Sequence, residues 1–162
     1  MQERHESSLA WLDRRIAAGV AFHELADEAV VHLRSGFPHY HWVGIYMVEG
    51  DRLRLRSWDG PAATQHVDIP LDQGVCGYAA STGALANVPD VSQDDRYLQC
   101  FLGTRAELVV PIRTPRRVFG EIDIDSDQLA AFTADDEAFL TSFCDRLGAL
   151  AEREGRAGHV PG

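Results

Sequence analysis

Apolar side chains recur at helical spacing through the first part of the chain. Leu9, Leu12 and Ile16 mark one face, and Phe22, Leu25, Ala26, Ala29, Val30 and Leu33 mark another. This spacing predicts two helices, near Glu6 to Ala18 and Ala21 to Leu33, with Gly19 between them. Ser35-Gly36-Phe37-Pro38 is a stop signal, with proline just beyond glycine. The period then drops to two. His41 to Val48 reads as a strand, Glu49-Gly50-Asp51 as a hairpin turn and Arg52 to Trp58 as the partner strand. Gln65 to Ile69 is a third strand, closed by Pro70. A short helix over VCGYAAS, an apolar piece at Leu85 to Val88 and a Pro89-Asp90 loop follow. Glu107 to Arg113 and Val118 to Asp125 form a second hairpin around Thr114-Pro115-Arg116. The last element is a helix from Ala134 to about Arg153, with Thr133 as N-cap and Asp136 three residues on, in a capping-box arrangement. Its stripe is Phe139, Phe143, Leu147 and Leu150.

The predicted class is α+β: an antiparallel sheet of five or six strands, with the N- and C-terminal helices on one face. The other face falls to the crossover from about Gln73 to Thr104, and a crossover arched over a sheet leaves a ligand pocket beneath it. One domain over 1–154 is expected, with helices over 5–34, sheet and pocket over 41–126, a closing helix over 134–153 and a disordered tail over 155–162.

Strand alternation names the pocket residues. In GEIDID, Ile122 and Ile124 share one face while Glu121, Asp123 and Asp125 share the other. If the isoleucines meet the terminal helices, the carboxylates meet the crossover. Trp42, Gly44 and Tyr46 fall on one face of their strand, with Gly44 suggesting a small cavity. Two readings stand side by side. The carboxylates are the solvated side of a half-exposed strand, or they form a site for a small ligand carrying an ammonium group.

Composition narrows the classes. Apolar residues at 45% and charged residues at 25% of 162 suit a single globular domain. No apolar run is long enough to span a bilayer, and MQERHESS lacks the apolar core of a secretory signal. Three cysteines without framework spacing suit a reducing cytoplasm. A net charge of −10 argues against nucleic acid or an anionic membrane as partner. All 15 basic residues are arginine, so no lysine is present for a Schiff base or a P-loop.

The cysteines carry the candidate chemistry. Cys76 follows Gly74 at the start of a short helix, where the dipole and free N–H groups favour thiolate. Cys100 lies in a loop with Arg105 close by in sequence. The two are a redox pair or two small side chains lining a pocket. Cys144, beside Phe143 in the closing helix, reads as a buried core or interface thiol. His39 and His41 read as a strand-edge pair rather than metal ligands, and Cys76, Cys100 and His66 lack a fourth ligand at motif spacing. No G-x-S-x-G, H-E-x-x-H, Walker A or C-x-x-C is present.

WVGIY, IPLDQGVCGYAASTG, VPDV, RAELVVPI and GEIDIDS, in this order, resemble the GAF-domain fold over about Leu9 to Leu150. More narrowly, they resemble the stand-alone free methionine-(R)-sulfoxide reductases. That resemblance implies Cys100 as nucleophile, Cys76 as its disulfide partner, and Glu107, Asp123 and Asp125 around the substrate's ammonium and sulfoxide. Trp42 and Tyr46 would line the methyl-sulfur end. The family usually has a third cysteine ten residues before the GVCG cysteine; here His66 stands there, a candidate for proton transfer or an imidazolium–thiolate pair. The segment before it, WDGPAATQ, also departs from the family's glycine- and aromatic-rich pattern. The implied enzyme holds no bound cofactor and draws on an external dithiol such as thioredoxin. The rival function is a non-catalytic GAF sensor that binds a small molecule and signals through its terminal helices as a homodimer; the shortness of the chain, with no room for an output domain, weighs against it.

Overall fold

A computed structural model describes residues 1–98, 103–158 and 160–161. Helices α1 (Gln2–Ala17) and α2 (Phe22–Gly36) lead into the hairpin β1 (Trp42–Glu49) and β2 (Arg52–Asp59). A three-residue strand β3 (Asp68–Pro70), helix α3 (Gly74–Thr82) and a second short strand β4 (Ala86–Val88) make up the middle. The hairpin β5 (Ala106–Thr114) and β6 (Arg117–Ser126) and the helix α4 (Ala134–Arg153) complete the chain. All strand pairs are antiparallel, in the order β3-β2-β1-β6-β5-β4. The long strands from either half of the chain thus meet at the centre, and the two short ones close the edges.

The α+β expectation holds, with the terminal helices on one face. Val43, Ile45, Ile122, Ile124 and Leu108 pack there against Leu12 of α1, Leu25 and Ala29 of α2 and Phe143 and Leu147 of α4. The whole α4 stripe is consumed in the chain's own core: Phe139, Phe143, Leu147 and Leu150 are all buried. Gly148 lets α4 approach β5 so closely that a Cβ would collide with the Arg113 backbone. On the opposite face a second apolar cluster joins Val75, Ala79 and Ala80 of α3 to Tyr46, Leu53 and Val109 of the sheet.

The capping box at α4 forms as predicted. Thr133 Oγ1 accepts from the Asp136 N–H and Asp136 Oδ2 accepts from the Thr133 N–H at 2.9 Å. Asp136 Oδ1 also accepts from Tyr40 Oη at 2.6 Å and lies 3.1 Å from His39 Nε2, tying α4 to the entry of β1. Burial would raise this carboxyl, but the hydrogen bonds from His39, Tyr40 and the Thr133 backbone outweigh it and hold the pKa at about 2. His41 goes elsewhere: its Nδ1 accepts the Asp127 N–H at 2.8 Å. The two histidines therefore serve separate contacts.

Two boundaries differ from the sequence reading. Helix α1 starts at Gln2 rather than near Glu6. The third strand is Asp68–Pro70, not Gln65–Ile69, because this edge pairs only with Arg52 to Arg54 of β2. Val67 still accepts from the Leu55 N–H at 2.9 Å, but His66 lies in irregular chain. Past α4, the Arg156 guanidinium lies 4.5 Å over the Phe22 ring. Among the described residues no helix is long and apolar enough to cross a membrane.

Candidate active site

The site lies where α3 crosses the face of β1, β6 and β5. Register fixes the sheet side of it. Asp125 stands between Trp42 of β1 and Glu107 of β5, Asp123 between Gly44 and Val109, and Glu121 between Tyr46 and Pro111. The three β6 carboxylates therefore line up on one face, as alternation predicts, and that face is roofed rather than solvated. Glu107, Glu121, Asp123 and Asp125 are 5%, 0%, 2% and 2% exposed, so the solvated-face reading is excluded.

Helix α3 supplies the thiol. Gly74 opens it with φ +72°, a backbone state that glycine adopts without strain. Gly77 lies on the backbone carbonyls of Pro70 and Leu71, where a Cβ would come within 3.0 Å or less of both. This close approach sets Cys76, the third residue of the helix, down onto the carboxylates. Cys76 Sγ and one oxygen each from Glu107 and Asp123 lie within 4.8 Å of one another. The cavity at this point is lined by Tyr46, His66, Val75, Cys76, Glu107 and Asp123, with Ile69, Gly74 and Leu98 completing its wall.

These neighbours overturn the expected ionisation of Cys76. A helix start favours thiolate, but burial and the Asp123, Glu121 and Glu107 carboxylates push the thiol well above its ordinary range. Burial and three nearby acids outweigh one helix dipole, and Cys76 is a thiol at neutral pH. The carboxylates are shifted as well. Burial, reinforced by the charge of Asp123, raises Glu121 and Asp125 well above the usual carboxylate range. Burial also raises Asp123, against hydrogen bonding from Glu107 and Cys76 and the nearby His66. Glu107 interacts with both Asp123 and Asp125, so the cluster shares its protons.

The structure thus brings together Cys76, Glu107, Asp123, Tyr46 and His66, all singled out in the sequence. Tyr46 is turned by its hydroxyl, which donates to the His66 carbonyl at 2.7 Å, so its ring forms the floor beside Ile69. Trp42 and Asp125 face a neighbouring cleft with His41, Thr104 and Ser126. The small cavity expected at Gly44 is absent: the Trp42 indole occupies the space where a Gly44 Cβ would stand and lies equally close to Gly60. Trp42 also stacks on Trp58, with ring centroids 6.4 Å apart and planes 10° from parallel. Cys100 lies outside the described residues. Cys144 is fully buried in α4, on the far side of the sheet, with its thiol 3.6 Å from the Val110 carbonyl. Alternation puts Glu121 on this face, outside the expected site; its position two residues before Asp123 on the same face is the signal for including it.

Comparison with known proteins gives a consistent picture. The GAF domain family profile matches residues 21–150. The free methionine-R-sulfoxide reductase of Escherichia coli is 33% identical over 107 residues, 66% of this chain and 64% of that protein. Among solved structures, the free methionine-R-sulfoxide reductase of Neisseria meningitidis, in complex with its substrate, superimposes with a TM-score of 0.85. It is 29% identical, covering 93% of this chain and 91% of that one. The type II free methionine-R-sulfoxide reductase of Thermoplasma acidophilum is 39% identical with a TM-score of 0.76, covering 82% of this chain and 96% of that one.

Proposed function

This chain belongs to the GAF domain family, and from that premise we propose that it is an enzyme reducing free methionine-(R)-sulfoxide to methionine. The observation that carries the reading is the buried set of Cys76, Glu107 and Asp123, one thiol and two carboxylates within 4.8 Å of one another beneath a helix. A free amino acid brings an ammonium group that buried carboxylates are suited to hold, and a purely apolar pocket would not need them. Similarity to reductases named for this substrate supports the choice.

In this reading Asp123 and Asp125 hold the ammonium, and Trp42 and Tyr46 flank the methyl-sulfur end. Cys100 attacks the sulfoxide sulfur while Glu107 supplies a proton to its oxygen. The oxygen passes to Cys100 as sulfenic acid and the sulfide leaves as methionine. Cys76 then attacks the sulfenic sulfur, an S–S bond forms, the S–O bond breaks and water departs. An external dithiol of the thioredoxin type returns both cysteines to thiols. His66, in the cavity wall, favours the ionised form of Asp123.

The deciding experiment incubates the full chain with dithiothreitol and each epimer of free methionine sulfoxide, following methionine by chromatography. The R epimer should be consumed, the S epimer left, and Cys100→Ser should be inactive. Binding of the R epimer without consumption would replace this reading with the sensor one.

A further inference from the structure

Three donors of different chemistry converge in the cavity wall. Cys76 Sγ and one carboxylate oxygen each from Glu107 and Asp123 lie within 4.8 Å of one another, although α3, β5 and β6 supply one apiece. Glu107 pairs with Asp125 across the β5–β6 ladder, so Glu107 and Asp123 are diagonal neighbours on one face, and Cys76 is the third corner above them. All three residues are buried. Asp123 stands in the cavity wall only 2% exposed, and its Oδ1 has no hydrogen-bond partner among the described residues. The cavity they line measures about 10 Å³, room for one water-sized sphere. A buried carboxylate oxygen without a partner is costly there, and a cation offsets that cost.

We propose that Cys76, Glu107 and Asp123 form a binding site for one divalent transition-metal ion of the zinc class. The donor set selects that class. One sulfur and two carboxylate oxygens suit a borderline ion such as Zn²⁺ or Co²⁺, whereas Ca²⁺ and Mg²⁺ take oxygen donors in roughly six or more positions. The spacing fits as well. With metal–sulfur at about 2.3 Å and metal–oxygen at about 2.0 Å, neighbouring donors of a tetrahedral site stand roughly 3.3 to 3.5 Å apart. Side-chain movement on the order of 1 Å closes the triangle of Cys76, Glu107 and Asp123 to that size. Three protein donors leave the fourth position to water, as in zinc sites that stay open to ligands, and the cavity has room for one. A dication also cancels two of the three negative charges that a thiolate and two carboxylates would bury together. On binding, the Cys76 S–H bond breaks and the sulfur–metal bond forms. The thiol proton leaves to solvent, as does any proton the two carboxylates hold, and no electron changes hands. The site does not rest on the reductase reading. Where both hold, metal and sulfoxide exclude each other, because Cys76, Glu107 and Asp123 serve both.

The test titrates the full chain, stripped of metal with a chelator and kept reduced with a phosphine, with Co²⁺ and then Zn²⁺. The wild type should take up one Co²⁺ per chain, with a thiolate-to-cobalt charge-transfer band in the near ultraviolet and the intense visible bands of tetrahedral cobalt. Zn²⁺ should bleach both. Cys100→Ser/Cys144→Ala leaves Cys76 as the sole thiol and should keep the charge-transfer band. Cys76→Ser should lose it. Glu107→Gln and Asp123→Asn should each weaken cobalt binding at least about tenfold, since even an outer-shell partner of a metal ligand is worth that much. Each variant is read only when its circular dichroism matches the wild type. The double variant reports on Cys76 without altering it, so a folding failure of Cys76→Ser leaves the test intact. Loss of the band in Cys100→Ser/Cys144→Ala overturns the assignment, as does wild-type affinity in both carboxylate variants or binding by the wild type only at millimolar cobalt. Sulfoxide reduction by a protein that binds no cobalt would remove the metal site and keep the reductase reading; cobalt binding by a protein that leaves the sulfoxide unchanged would do the reverse.

Discussion

Replacing Glu121 by methionine should make this protein more stable, and by a margin that grows with pH. The carboxyl is 0% exposed and both of its oxygens lack a well-formed hydrogen bond among the described residues. An unsatisfied buried polar group of this kind costs roughly 1–3 kcal/mol, and apolar replacement of buried charged groups has given gains of about 1–4 kcal/mol. The pH dependence follows from proton linkage. Burial first, then the charge of Asp123, raises the folded-state pKa above the ordinary 4.5. Below that ordinary value both folded and unfolded chains hold the proton, and the group costs nothing through ionisation. Above it the unfolded chain releases the proton while the folded chain keeps it, so stability falls by about 1.4 kcal/mol per pH unit until the folded carboxyl ionises. Glu121→Met removes that loss. Urea denaturation of both proteins at about pH 5 and about pH 7.5 should show a stability difference that widens by up to roughly 3 kcal/mol at the higher pH. A variant that is less stable at both values, or a margin independent of pH, would refute the picture of a desolvated acid beneath Cys76.

Other consequences can be checked as directly. Gly44→Ala should cost about 1–3 kcal/mol, because the new methyl must displace the Trp42 indole, and the Trp42 fluorescence should shift with it. Under the reductase reading, affinity for the amino acid sulfoxide should rise with pH: burial raises Asp123 and Asp125, and both must shed protons before they hold an ammonium; calorimetry should register proton release on binding. Asp136 has the opposite sign. Its pKa is held at about 2 against an ordinary 3.8, so it adds roughly 2 kcal/mol that is present above pH 3.8 and lost as pH falls through about 2. Asp136→Asn should therefore lower stability at neutral pH by a comparable amount and flatten the acid limb of a denaturation profile; an acid limb identical to wild type would contradict it.

Much of this was legible in the chain. Alternation in GEIDID put Glu121, Asp123 and Asp125 on one face because a strand leaves no other choice, and the isoleucines identified the helix side. The cap at Thr133 and Asp136 was readable because it is local. The ionisation of Cys76 was not, since its local signal, a helix start, is opposed by carboxylates that lie 31 to 47 residues further along. Gly44 misled for a related reason. A glycine marks a place where something approaches closely, but not what approaches, and here it is the ring of Trp42, two residues earlier. The third strand came out shorter because an edge strand extends only as far as its neighbour pairs with it, which is a property of β2 as much as of Gln65 to Ile69.

The sheet order has a bearing on how the protein comes into being. Gly44 and Asp123 are neighbours across β1 and β6 yet lie 79 residues apart in the chain. The central pairing closes a long loop, which places its formation late in folding and makes the sheet slow to complete. During synthesis, Cys76 is made well before any of the three acids that raise its thiol. A nascent chain therefore carries an ordinary, reactive thiol, and only the arrival of β5 and β6 turns it into a guarded one. Truncation anywhere before Asp125 would leave that thiol exposed to whatever oxidant the compartment holds.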